Sequence, residues 1–505
     1  MLAFFLIIIL SCNSLTPQEL SAIFPHTANH STTWAKDYYN TPEIIPILFR
    51  GTNVAQFAFG FTSEGGNVFY LLSIIIVGPS ADIYDEYDVV WSANRNHPVK
   101  ENAIVNFTAA GDLVLKDKDG NTVWTTNTAG KSVVGMNLTD NGNLVLFDDH
   151  DTVVWQSFDH PTDTLLPGQI LSQGQKLKAS VSSENSSESL YYVQVTEDGL
   201  VCYVESNPPQ EYFSVSRYNH SAIKGRRYIK FLIGSLSLFI DSSEQGDQLD
   251  TLITTISSSS AQYIQLTPDG ELQASAWESK SEKWATSVDI LGNFVDKCSY
   301  PLFCGRNAIC SANDQQCSCP EIEYFKPVKD HQPKQGCYEI TPINCSYTKD
   351  QDFITLEHTA YFVSTPDMVG VNVTTCKQAC LKNCSCKAAF FWYDLNASDG
   401  ECLLMSELFT MQMNGYTPYI YNTAYLKIQN ITSPSLNALP PLPHQAPTVV
   451  PRNRVSHQAA RVVGSTIGSF VLLLVALIGF IKYVVYKRKR EATMEDEYLD
   501  QVERA

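Results

Sequence analysis

Gly142-Asn-Leu-Val-Leu-Phe-Asp-Asp-His-Asp151 is a second copy of Gly111-Asp-Leu-Val-Leu-Lys-Asp-Lys-Asp-Gly120. In both, Leu and Val alternate with polar residues and Asp/Gly turns close the segment, the period-2 signature of short antiparallel strands. Each copy runs on to a tryptophan, in Val123-Trp124-Thr125 and Val154-Trp155-Gln156, and a third such tripeptide, Val90-Trp91-Ser92, precedes them. The tryptophans lie 33 and 31 residues apart. Three such units, spanning about residues 57–168, cannot bury their faces singly. Packed around a pseudo-threefold axis, they would place the three indoles in one core.

Outward from this repeat, the chain of 505 residues has room for several domains, and 44% hydrophobic with 11% aromatic content is that of folded modules. A net charge of −18, with the one dense basic run at Lys487–Arg490, argues against nucleic acid as a partner. Residues 1–14 read as a signal peptide, although no Lys or Arg precedes the apolar run. Val462 to Ile481 is 20 residues without a charge, long enough as a helix to cross a bilayer, and Lys482 and the basic run follow it. The expectation is a single-pass type I plasma-membrane protein with its N-terminus outside. Twelve of the 14 cysteines fall between Cys298 and Cys402, as an oxidising compartment allows. Glycosylation sequons begin at Asn29, Asn106, Asn137, Asn185, Asn219, Asn344, Asn372, Asn383, Asn396 and Asn430, all on the expected outer side.

Val89-Val-Trp-Ser-Ala-Asn-Arg95 and Trp155-Gln-Ser-Phe-Asp-His-Pro-Thr-Asp-Thr-Leu-Leu-Pro-Gly168 resemble the bulb-type (G-type) lectin domain of plant S-domain receptor-like kinases. The resemblance implies a mainly β chain: β-prism II lectin domains, each of three four-stranded sheets, then small disulfide-rich EGF-like and PAN/apple modules and one transmembrane helix. Bulb lectins hold mannose with Gln-x-Asp-x-Asn-x-Val-x-Tyr, whose spacing of two would put every ligand on one side of a strand. Carried over, the pattern falls on Thr139, Asn141, Asn143, Val145 and Phe147, three of which keep their character. The earlier repeat offers Thr108, Ala110, Asp112, Val114 and Lys116, and the first only the apolar strand around Phe69 to Val77. A lectin-shaped scaffold without mannose binding and a working sugar site both stand as readings. Phe59 occupies a position where relatives often carry a cysteine.

The implied order is a lectin domain over 40–172, a second lectin-like β-domain over 173–293, an EGF-like module over 294–338, a PAN/apple domain over 345–428, a Pro-rich stalk over 433–460, the membrane helix over 462–486 and a tail over 487–505. Cys202, alone in a strand, reads as a buried thiol, with an intermolecular bridge as the rival. Six cysteines allow fifteen pairings; the EGF-like pattern implies Cys298 with Cys310, Cys304 with Cys317 and Cys319 with Cys337. The PAN pattern implies a helix carrying Cys376 and Cys380, pinned as Cys376 with Cys402 and Cys380 with Cys386, and leaves Cys345 and Cys384 as the default pair. A zinc site is the rival for these thiols, but no His lies at ligand spacing.

No catalytic signature, metal or cofactor is expected. There is no kinase Gly-rich loop, His-Arg-Asp or Asp-Phe-Gly run, no Gly-x-Ser-x-Gly and no His-Glu-x-x-His. His160 reads as a loop residue, and Tyr498 as part of a solvated acidic tail or a phosphosite. The resulting expectation is a kinase-less receptor-like glycoprotein that recognises a glycan or glycoprotein. It would act as co-receptor or decoy for related receptor kinases through its EGF and PAN modules. The alternatives are an adhesive protein of the wall–membrane interface and a shortened product of a full receptor kinase.

Overall fold

The structure, a computed structural model, describes residues 17–430 apart from 36–43, 65–67, 80, 82, 85–86, 198, 216–224, 242–246, 255–260, 293–294 and 415–420. The expected signal peptide, stalk, membrane helix and tail, with Tyr498, Asn219 and the run Val462–Ile481, lie outside the described residues. Among the described residues no helix is long and apolar enough to cross a membrane.

Twelve strands build a first prism of three four-stranded antiparallel sheets. One sheet is continuous in the chain: β3 (Ile44–Gly51), β4 (Gln56–Glu64), β5 (Phe69–Val77) and β6 (Asp88–Ser92). The second pairs β7 (Ile104–Phe107), β8 (Leu113–Lys116) and β9 (Thr122–Thr125) with β2 (Thr32–Ala35), and the third pairs β10 (Val133–Leu138), β11 (Leu144–Asp148) and β12 (Val153–Gln156) with β1 (Thr27–Asn29). Strands β1 and β2 precede residue 40, so the prism begins earlier than its internal repeat. Trp91, Trp124 and Trp155 meet edge to face at 5.9, 6.0 and 5.9 Å with interplanar angles of 72–74°. That is the pseudo-threefold core expected from the repeat, and such contacts add ~0.5–1.5 kcal/mol each beyond the burial of the rings.

The next twelve strands repeat this connectivity. Strands β15 (Lys176–Ser182) to β18 (Gln210–Val215) form one continuous sheet; β19 (Arg226–Leu232), β20 (Ser235–Asp241) and β21 (Asp247–Thr254) take β14 (Ile170–Ser172); β22 (Gln262–Leu266), β23 (Leu272–Glu278) and β24 (Lys283–Asp289) take β13 (Thr164–Leu165). The second domain is thus a second prism, and it starts inside the signature run assigned above to the first. Thr164 pairs with Gln265 and Ile170 with Lys230. Strand alternation did not reveal this, because β13 is two residues long and β14 three.

The cysteine-rich modules are merged as well. Strand β25 (Ile309–Ser311) of the EGF-like block runs parallel to β34 (Met411–Met413) of the PAN block, in one sheet with β26 (Cys317–Ser318) and β30 (Thr359–Ala360). A five-stranded sheet of β29 (Gln351–Glu357), β35 (Tyr421–Gln429), β32 (Ala388–Tyr393), β33 (Gly400–Met405) and β31 (Met368–Val371) completes the PAN fold. Against it lies helix Val373–Lys382, started by the Asn372 side chain accepting from Thr375 N and burying Cys376 and Cys380 one turn apart. The bridges are Cys298–Cys310, Cys304–Cys317, Cys319–Cys337, Cys345–Cys384, Cys376–Cys402 and Cys380–Cys386, the pairs the resemblance implied. With all twelve thiols bridged, the zinc reading has no ligands left. Cys202 is free and buried in β17 (Leu200–Val204), and burial pushes its thiol up to about 12.

Candidate functional site

The five residues matching the mannose pattern do not share one strand. Thr139 to Asn143 form the turn between β10 and β11: Thr139 N donates to Asn143 O at 3.0 Å and Gly142 N to Thr139 O at 3.0 Å. Gly142, at φ +80°, supplies the left-handed step the turn requires. Only Val145 and Phe147 lie on β11. The expectation of a single ligand face is therefore corrected. A spacing of two is common to a strand and to a turn entering it, and the turn dipeptide Asn141-Gly142 was the local signal for the second.

Asn143 faces inward and is buried. Its Oδ1 accepts from Ser157 Oγ at 3.1 Å and Phe158 N at 3.2 Å, and its Nδ2 donates to Gln156 Oε1 at 2.8 Å. Both ends of the amide are engaged in tying the β10–β11 turn to the end of β12 and the segment after it. Thr139 Oγ1 accepts from Asn143 N at 3.0 Å and donates to Asn141 Oδ1 at 2.6 Å. Val145 is buried, and the Phe147 ring takes the space a side chain at residue 135 would need, which is why that residue is Gly135. Asn141 remains exposed, with its Nδ2 beside Gly168. A sugar approaching here meets one exposed amide, whose Oδ1 already accepts from Thr139 Oγ1, and a half-buried phenyl ring.

The earlier repeat shows the same use of its turn. Asp112 stands where Asn143 stands, accepting from Thr125 Oγ1 at 2.6 Å, Thr126 Oγ1 at 2.8 Å and Thr128 N at 3.0 Å, while its own N donates to Thr108 Oγ1. Burial alone would raise its pKa, but these donors outweigh it and hold the carboxyl below its usual range. His160 stacks on Trp155 at 5.3 Å and its carbonyl accepts from Trp91 Nε1 at 2.8 Å, a structural loop role. Asp148, Asp149 and His150 gather potential ligand atoms within 4.8 Å on a turn, where Asp148 Oδ1 already accepts from His150 N and Thr152 N.

Signature residues instead gather between the prisms. Arg95 is buried and donates to Ser186 O at 2.7 Å, Lys178 O at 2.9 Å and Ser180 Oγ at 3.1 Å, with Asp163 Oδ2 at 3.7 Å. Glu64 Oε1 accepts from Ser186 N and Oγ, and Tyr263 Oη donates to Asp88 Oδ2 at 2.9 Å. The neighbouring Asn94 fixes the same end of the motif, accepting from Leu72 N and donating to Tyr70 and His97 carbonyls. Sequence reasoning quoted Arg95 and Asp163 as identifying residues but missed this role. The signal was present: a charge of each sign within two apolar, aromatic-rich motifs.

A second junction joins the second prism to the cysteine-rich modules. Leu302 N donates to Tyr191 Oη at 2.6 Å, Gln210 Nε2 to Glu407 O at 3.0 Å, and Tyr361 Oη to Gln210 Oε1 at 2.7 Å. Of the sequon asparagines, Asn29, Asn185, Asn344, Asn372, Asn383 and Asn396 are exposed, and Asn106, Asn137 and Asn430 are partly buried. Asn137 Oδ1 is buried without a hydrogen-bond partner.

The D-mannose binding lectin family matches residues 88–187, the S-locus glycoprotein domain 221–329 and the PAN-like domain 345–411. EP1-like glycoprotein 2 of Arabidopsis thaliana is 30% identical, over 67% of this chain and 79% of its own length. The G-type lectin S-receptor-like serine/threonine-protein kinase SD2-5 of the same plant is 27% identical, over 76% of this chain and 45% of its own length. The chain spans about half the length of the curated receptor kinases it matches, as 45% and 57% for two of them indicate. Among solved structures, the mannose-specific agglutinin of snowdrop (Galanthus nivalis) bulbs is 18% identical, over 24% of this chain and 82% of its own, with a TM-score of 0.10. With its lectin, S-locus glycoprotein and PAN domains in this order, the chain belongs to the plant G-type lectin S-domain family, alongside S-receptor-like kinases and EP1-like glycoproteins.

Proposed function

We propose that the chain is the recognition part of a plasma-membrane glycoprotein, anchored by 462–486, whose ligand is a glycoprotein gripped over a broad surface. On this reading it works beside the S-receptor-like kinases that share its domain order, as co-receptor or decoy, and its role is recognition without catalysis. One observation carries the proposal. The amide that a mannose site would need, Asn143, is engaged at both ends inside the prism, while hydrogen bonds tie the two prisms and the EGF–PAN unit to one another. A pre-organised surface of this kind loses little entropy on binding a large partner.

The test sets the oxidised ectodomain, residues 17–430, against mannose-type glycans and against detergent-solubilised S-receptor-like kinases. Co-precipitation with a kinase ectodomain, together with glycan binding that is weak and unchanged in Asn141→Ala, supports the proposal. Tight mannose binding abolished by Asn141→Ala would replace it with a working lectin site at the β10–β11 turn.

A further inference from the structure

Two of the ten sequons carry a cysteine in the middle, Asn344-Cys345-Ser346 and Asn383-Cys384-Ser385, and these two cysteines are bonded to each other with Cα atoms 5.6 Å apart. We propose that forming the Cys345–Cys384 bridge forecloses attachment of a glycan to Asn383, so that the mature chain carries a glycan at Asn344 and a bare amide at Asn383. This rests on the reading that the chain passes through an oxidising, glycosylating compartment.

The two reactions draw on the same short segment. In glycan transfer, Asn Nδ2 bonds to C1 of a sugar carried on a lipid pyrophosphate, the C1–O bond breaks, the lipid pyrophosphate leaves and the amide gives up one proton. In bridge formation, two thiols lose two protons and two electrons to a disulfide oxidant, which departs as a dithiol. The transferase must draw the acceptor tripeptide out of the folded chain. A bridge at its middle residue prevents that.

Asn383 is held more tightly than any free loop allows. Its Oδ1 accepts from Ser385 N at 3.1 Å and Ser385 Oγ at 2.8 Å, the hydroxyl a sequon must present. Its backbone N donates to Ala379 O and Cys380 O, and its carbonyl accepts from Lys427 Nζ at 2.9 Å and Cys386 N at 3.1 Å. It also lies inside the loop closed by Cys380–Cys386, whose ends are six residues apart. Asn344 is tied as well, its Oδ1 accepting from Ser346 N at 2.9 Å, its N donating to Gln429 Oε1 at 3.1 Å and its carbonyl accepting from Gln351 Nε2 and Tyr347 N at 3.1 Å each, but it has no short disulfide loop around it.

Order of synthesis favours the same outcome. Cys384 follows Cys345 by 39 residues, which at ~5–20 residues per second leaves the first sequon about 2–8 s without its partner thiol. Bridge formation takes seconds or longer, so Asn344 has an open interval. Asn383 enters a compartment where Cys345 and Cys380 already wait. Exposure alone would have ranked the two asparagines equally.

The experiment measures glycan occupancy by glycopeptide mass spectrometry at Asn344, Asn383 and Asn396 in the full chain made in a secretory host. Asn396-Ala-Ser398 is the control, an exposed sequon with the same turn and no cysteine. Wild type should show Asn344 and Asn396 largely occupied and Asn383 several-fold lower. The Cys345→Ala/Cys384→Ala variant keeps both sequons and should raise Asn383 several-fold. Because that variant can misfold, wild-type chain synthesised with a membrane-permeant dithiol provides a second arm with the same expected rise. Occupancy of Asn383 equal to Asn396 in untreated wild type, or a bare Asn383 in both arms, overturns the proposal. A chain without glycan at any sequon removes the secreted reading and this proposal with it. Glycan at Asn396 together with an equally occupied Asn383 removes this proposal alone.

Discussion

At Asn143 a residue matched to a sugar ligand turns out to hold the prism together, and the pairing with Asp112 explains why. Both side chains reach from a hairpin turn to the end of the second strand onward, β12 or β9, and the segment after it, and both accept from two or more donors there. Asn143→Ala would leave Phe158 N and Ser157 Oγ without their acceptor in a buried position, at a cost of about 2–3 kcal/mol. The expected result is a lower denaturant midpoint with an unchanged m value. A midpoint within error of wild type would show that the amide is dispensable to the fold. Asp112 adds a pH dependence. Its folded pKa lies below the unfolded value of about 3.8, so its contribution is present above pH 4 and is lost as pH falls through the folded pKa. Asp112→Asn should flatten the stability profile below pH 4, measured by urea midpoints across pH. The repeat made the equivalence of Asn143 and Asp112 legible in the sequence. Their inward direction was not, since it depends on where the turn ends, and a period of two does not mark that.

At the scale of elements, the two prisms share one connectivity, and the run from Trp155 to Gly168 serves both. Trp155 closes the first core, while Thr164–Leu165 already pairs in the second prism. The three indoles and all six bridges followed from sequence pattern and resemblance, because tryptophan spacing and cysteine order survive in the chain as written. Prism boundaries did not, since strands β1, β2, β13 and β14 are too short to show alternation. Arg95 is the element-scale test. Its guanidinium meets two backbone carbonyls, a hydroxyl and a carboxylate in a planar fan that a lysine ammonium cannot reproduce. Arg95→Lys should therefore weaken the prism junction nearly as much as Arg95→Met, by about 3 kcal/mol for a broken buried pair. Calorimetry should then resolve two unfolding transitions where wild type gives one. A single undisturbed transition in both variants would show that the junction does not depend on this side chain.

At the scale of the whole molecule, tyrosines stand at the junctions, Tyr191, Tyr263 and Tyr300 buried and Tyr361 half-buried. Tyr263 bridges the prisms, Tyr191 accepts from the EGF-like segment, Tyr300 is buried beside it, and Tyr361 links the PAN block to Gln210. Burial raises the pKa of all four well above the ordinary tyrosine value. For an acid whose folded pKa is raised, stability is fully present below the unfolded pKa and falls as pH rises beyond it. Above pH 10 each of the four phenols can ionise only in the unfolded chain, a loss of about 1.4 kcal/mol per pH unit apiece. One unit above that point the combined loss is about 6 kcal/mol, comparable with the whole stability of many domains. Because the phenols join separate modules, the expected outcome is cooperative: tyrosine absorbance at 295 nm and near-ultraviolet dichroism should change together at one alkaline midpoint between pH 10 and 12, as order-of-magnitude bounds. Tyr361→Phe should make stability fall less steeply above pH 10, by about 1.4 kcal/mol per pH unit, even though it lowers stability at pH 7 by leaving Phe409 N without its acceptor. Ionisation of these tyrosines one by one, with the dichroism unchanged, would mean that the junctions open independently and that the prisms and the EGF–PAN unit do not present a single surface to a ligand.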